Sequence, residues 1–163
     1  MVSKRVHQYS LYQTCIKHVT ITYHLGCNFF RDKDGNLCFV PKCHVDKMLK
    51  IYECTFGTKP KAIPQSPLEK EDHPEIDQSE LLDIDRIQVY PSLIGTLQWG
   101  VTLGRIDITT VVMTLSGFRA APHQGHLDWV KQVFGYHAKF KDPVICTRME
   151  EPDFSDLPDK VFD

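Results

Sequence analysis

No two aspartates stand side by side anywhere in this 163-residue sequence, and no glycine-rich phosphate loop occurs in it. Those absences remove the usual means of holding magnesium ions or a nucleotide phosphate. Positive charge is not in excess either: 19 Lys and Arg stand against 21 Asp and Glu, a net charge of −2. The chain as a whole offers no basic field to nucleic acid, so any binding face must be local. No apolar run approaches the ~20 residues of a membrane span. The N-terminus MVSKRVHQYS has a basic start but no apolar stretch behind it, so no secretory signal is expected. The expected place is intracellular, in cytoplasm or nucleus.

Paired cysteine spacing is also missing. Cys15, Cys27, Cys38, Cys43, Cys54 and Cys146 form no C-x-x-C. A zinc set drawn from Cys38, Cys43, His44 and Cys54 has the wrong spacing, because adjacent Cys43 and His44 would point apart on a helix. The expectation is reduced, buried thiols.

What is present is patterned. VTITYHLGCNFF (19–30) is rich in β-branched and aromatic residues, RDKDGN supplies a turn centred on Asp34-Gly35, and LCFV returns, which reads as a β-hairpin. Over 41–56 a helix is expected: Pro41 suits its first turn, Val45, Met48, Leu49, Tyr52 and Phe56 fall on one face, and Gly57 stops it. The segment 58–88, with four prolines and many acids, reads as an extended, exposed crossing. Three helices follow: about 91–103, with Leu93, Leu97 and Val101 aligned; about 107–120, with Ile108, Val111, Val112, Leu115 and Phe118 in a stripe and Asp107 as cap; and about 125–140, with Leu127, Val130 and Phe134 on one face. PVICTR (143–148) reads as a short strand. The expected fold is α+β: a β-hairpin plus helix, a three-helix bundle and a short C-terminal strand. The division is 1–66, a connector at 67–88, a helical part at 89–148 and an acidic linker at 149–163.

The order of the motifs is more specific than any one of them. Leu25-Gly26, RDKDGN, KMLKIYECTFG, SPLEKEDHPE, YPSLIGTLQWGVTLGRIDI, LSGFRAAPHQGHL and VKQVFGY follow one another over roughly residues 23–160. Together they resemble the reverse transcriptase of copia-type long-terminal-repeat retrotransposons, from the end of its palm through its thumb. The resemblance implies a primer grip at Leu25 and Gly26, where a missing side chain lets the backbone approach a primer strand. The alternative is that Gly26 marks a strand bend or bulge. It also implies that Pro91, Gly95 and Trp99, at four-residue steps, face the minor groove of a primer–template. The alternative for Gly95 and Trp99 is packing against the next helix. Pro91 departs from the family, which usually has a polar residue there, and Gly117 stands where the family often has Arg. Arg105 would pair with Asp107 or with phosphate. Arg119 and Lys131 are candidate phosphate contacts or solvated surface charges. His126 matches a frequent family His and reads as a packing residue.

The family's chemistry needs three carboxylates around two magnesium ions, two of them from an aromatic-x-Asp-Asp turn upstream of the Leu-Gly hairpin. That turn is not in the sequence, and Asp32 and Asp34 are ordinary turn residues. The expectation is therefore a piece of a retrotransposon polymerase from a decayed or truncated element, the ribonuclease H module lying outside it. It would grip RNA–DNA or DNA duplex, with no cofactor, no membrane, and the rest of a retrotransposon polyprotein as a further partner. It would not polymerise alone. The alternative is a non-catalytic nucleic-acid-binding protein or a non-functional relic.

Overall fold

Leu25 and Gly26 both take positive φ, 50° and 90°, and this turns one expected strand into two. The pair forms a two-residue hairpin turn between β1 (Tyr23–His24) and β2 (Cys27–Arg31), with His24 opposite Cys27. Positive φ at both central residues suits the right-handed twist of the flanking strands, and glycine at the second position takes it without strain. Composition could not reveal this, because the run 19–30 stays strand-like on both sides of the turn. The computed structural model describes residues 23–69 and 73–147; the expected strand start at 19–22 lies outside them.

After β2 the turn forms as expected. Asp32 Oδ1 accepts from the backbone N–H of Asp34 and of Asn36, and Gly35 takes φ 82°. β3 (Leu37–Val40) then pairs with β2, and Phe29 stacks on Phe39. Helix α1 (Lys42–Phe56) begins one residue after Pro41 and ends at Gly57, whose φ of 67° is the left-handed stop. Val45, Met48, Leu49 and Tyr52 are its buried row.

The connector is mostly exposed, as expected, but it is docked on the helices at several points. Among its described residues, the backbone around Lys61 lies so close to α4 (Gln124–Lys139) that a β-carbon on Gly135 would collide with the Lys61 carbonyl. Pro74–Ile76 forms a 3-10 turn, and the Pro74 carbonyl meets His126 Nε2 at 2.9 Å. Leu81 bridges to His123, and Leu82 is buried. The acidic, proline-rich composition described its surface but not its docked backbone.

Helix α2 runs over Ile84–Thr102, starting seven residues before the expected position. Asp83 caps it, accepting from the Arg86 N–H at 2.8 Å. Pro91 therefore sits inside the helix and not in its first turn. It denies the Ile87 carbonyl its donor, a loss on the order of 3 kcal/mol. The buried row Tyr90, Leu93, Ile94 and Leu97 offsets this, since each fully buried apolar side chain contributes about 1.5–3 kcal/mol. Tyr90 also donates its hydroxyl to the Leu115 carbonyl.

A 3-10 turn (Ile106–Ile108) leads into α3 (Thr109–Ser116). Asp107 does not cap α3, because the intervening turn aims its carboxylate at Arg105 instead. Met48 and Tyr52 of α1 share one apolar core with α2, α3 and α4. After α4 the chain returns as β4 (Ile145–Thr147) on the open edge of β3, which completes an antiparallel sheet in the order β1-β2-β3-β4. Cys38 and Cys146 lie opposite each other on β3 and β4 and are joined in a disulfide. The expectation of reduced thiols fails for this pair. The cause is a register set by residues 108 apart, which local spacing does not encode. The fold is α+β. Among the described residues, no helix is long and apolar enough to cross a membrane.

Candidate nucleic-acid interface

From Gln88 to Thr102, α2 carries no charged residue. Apolar content explains its buried row but not its outer one, where Ser92, Gly95, Trp99 and Thr102 are exposed. Trp99 is 47% exposed, and a β-carbon built on Gly95 would meet nothing within 4 Å. Neither residue is buried by a neighbouring helix, so internal packing does not account for them. Pro91 lies on the same side two turns before Trp99, half-buried. An exposed, uncharged helix face with an indole and a bare backbone step is a surface for close contact without ion pairing.

The Leu25–Gly26 turn meets this helix at its C-terminal end. A β-carbon on Gly26 would sit 3.5 Å from His44 Cβ and 3.7 Å from Leu103 Cδ1. Leu103 follows Trp99 by one helical turn and gives its N–H to the Trp99 carbonyl. Leu25 itself points outward, 61% exposed. The two elements singled out in the sequence are thus neighbours around His44 and Leu103. His44 also packs against Gly100, where a β-carbon would lie 3.6 Å from its Nε2. Burial pushes the His44 pKa down.

The basic candidates separate. Arg105 is wholly buried. Its Nε and one terminal nitrogen donate to both oxygens of Asp107, at 3.0 and 2.8 Å, and the other donates to the Phe140 carbonyl at 2.9 Å. A guanidinium committed in this way is an internal strut, not a phosphate contact. Burial raises the Asp107 pKa, but the Arg105 hydrogen bonds and charge outweigh it and leave the pKa lowered. Lys131 pairs with Asp128 at 2.7 Å and lies over the Phe56 ring. Phe56 and His44 are 12 residues apart along α1, about 18 Å along its axis, so Lys131 and the Leu25–Gly26 turn contact opposite ends of that helix. Lys131 belongs to the far end of the molecule. Arg119 alone approaches the α2 face: it donates to Gln98 Oε1, next to Trp99, while its Nε is buried without a hydrogen-bond partner.

Sequence reasoning missed His137 and weighed His44 only as a zinc ligand. His137 is fully buried, and neither ring nitrogen has a hydrogen-bond partner. Burial, then the charge of Arg105, lowers its pKa to about 3. The signal was available, because His137 extends the Leu127, Val130, Phe134 stripe by one more step of three. His44 likewise precedes Met48 by four. His126 packs as expected, buried and stacked on Phe118.

The residues do not fit the magnesium centre of the resembling family. The first acidic residue of the chain is Asp32. Among the described residues the one convergence of three potential ligands is Asp32, Cys38 and Cys146, with a single carboxylate. The zinc set of Cys38, Cys43, His44 and Cys54 does not converge. A cleft of about 710 Å³ opens beside Asp107, Tyr136, Asp142 and Ile145; Arg105 holds the Asp107 carboxylate and Lys42 pairs with Asp142. No protein-family model, curated protein or solved structure matches this chain.

Proposed function

We propose that this chain is a duplex-gripping module of the copia-type reverse-transcriptase kind, with no polymerase chemistry of its own. The observation that carries the reading is the exposed, charge-free face of α2, with Trp99 half in solvent and Gly95 bare, beside the Leu25–Gly26 turn. A wide, shallow minor groove of an RNA–DNA hybrid suits such a face, because it is recognised by shape and by sugar edges. Trp99 offers one N–H donor and a flat apolar surface, and Gly95 lets backbone come within contact of the sugars. Arg119 is the cation best placed to meet a flanking phosphate.

Binding of a labelled RNA–DNA hybrid at several salt concentrations tests this. A face with so little charge is expected to bind with a shallow negative slope, about −0.9 per phosphate contact. Trp99→Ala is expected to weaken binding about tenfold, ~1.4 kcal/mol. Equal affinity in Trp99→Ala and the parent would sink the reading. In a primer-extension reaction with magnesium and deoxynucleotides, no extension is expected. Template-dependent extension by the purified chain would refute the non-catalytic half of the proposal.

A further inference from the structure

Asp32, Cys38 and Cys146 come from the hairpin turn, β3 and β4, and their ligand atoms all lie within 4.8 Å of one another. The sulfurs are joined in the disulfide, on directly opposed residues whose Cα atoms are 4.0 Å apart. The carboxylate is already fixed: Oδ1 accepts from the N–H of Asp34 and of Asn36, and Oδ2 from the Asn36 amide at 2.9 Å. Oδ2 keeps a free lone pair. Cys146 is exposed, so the pair is open to solvent reductants and ions.

We propose that reduction of the Cys38–Cys146 disulfide converts this cluster into a site for one thiophilic divalent cation of the zinc class, bound by the two thiolates and Asp32. A tetrahedral zinc with Zn–S bonds of about 2.3 Å needs its sulfurs roughly 3.8 Å apart. Opposed cysteines already joined in a disulfide, with β-carbons about 3.8 Å apart, reach that spacing by side-chain rotation alone. In the first step a dithiol reductant supplies two electrons and two protons. The S–S bond breaks, two thiols form, and the reductant becomes a disulfide. The cation then releases both thiol protons to solvent as two thiolate–metal bonds and one carboxylate–metal bond form. Water completes four-coordination. Strand β4 would then be held to β3 by a disulfide in oxidising surroundings and by a metal in reducing ones.

The test maps thiol alkylation by mass spectrometry on the full reduced chain, with and without zinc. Zinc is expected to slow alkylation of Cys38 and Cys146 at least about tenfold while the exposed Cys54 reacts at its free rate. Equal rates for Cys38 and Cys146 with and without zinc would overturn the proposal. Asp32→Asn, which keeps both thiols, is expected to weaken zinc about tenfold. An unchanged affinity in that variant would overturn the ligand set. The oxidised chain is expected to take up no zinc at this pair, and equal uptake by both redox forms also counts against it.

Discussion

Trp99 and Arg105 stand on the same stretch of chain, yet the indole is 47% exposed and the guanidinium is fully buried. By hydrophobicity alone their places should be exchanged. Arg105 can be inside because Asp107 and the Phe140 carbonyl take its donors. Trp99 is outside because α2 turns its Tyr90, Leu93 and Leu97 row inward and leaves the next row to solvent. One residue is built into the framework, and the other is left on the surface. The lesson is that a basic residue in a suggestive motif is no guide to where a partner binds, until its own partners have been counted.

The largest expected break in this comparison is Arg105→Ala. It removes a fully buried side chain and leaves Asp107 and the Phe140 carbonyl without their donor, and should cost about 3–5 kcal/mol, read as a lower urea midpoint. Hybrid affinity of the folded variant should be retained; a loss of affinity at unchanged stability would place Arg105 on the interface after all. The next effect is acid sensitivity. His137 has a folded pKa of about 3 against an ordinary 6.5, so the unfolded chain takes up its proton first as pH falls. Stability is complete above pH 6.5 and declines from there towards pH 3, by on the order of 4 kcal/mol. Asp107, with its lowered pKa, adds a further loss as pH falls through its folded value. His137→Leu should flatten the slope between pH 6.5 and 4, and an unaltered slope would exclude His137 as its source. Pro91→Ala should restore the donor to Ile87 and raise the urea midpoint, by up to about 3 kcal/mol; a lower midpoint would mean the proline is packed for. Smallest in stability, and sharpest in meaning, is Gly95→Ala. The added methyl meets nothing, so the helix should gain about 0.5–1 kcal/mol. Hybrid affinity should fall at the same time. Opposite signs in the two measurements would separate a contact face from ordinary surface.

How much of this could be read beforehand depended on distance along the chain. Helix α1 was fully legible, because five apolar residues at helical spacing, a proline before them and a glycine after them all agree. The outer face of α2 was legible as a row of Gly95 and Trp99, but its exposure was not, since packing and solvent use the same spacing. Pro91 misplaced the helix start: a proline is a common boundary, and here a good cap at Asp83 and a buried row overrode it. The Leu25–Gly26 hairpin stayed hidden because a leucine rarely takes positive φ. The Arg105–Asp107 pair was legible as one of two alternatives, because the residues are two apart, but the burial of Arg105 against the Phe140 carbonyl was not. The Cys38–Cys146 pair lay further out of reach, because it joins strands 108 residues apart.

Cysteine pairing has one more consequence, which concerns force. The bond between β3 and β4 closes a covalent ring around everything from α1 to α4, with its cysteines 108 residues apart in sequence. Tension applied between Tyr23 and Thr147 would run through the sheet and across the sulfurs, bypassing the helices. The core would be mechanically shielded until the pair is reduced. The same pull would then unravel α4 from its C-terminal end.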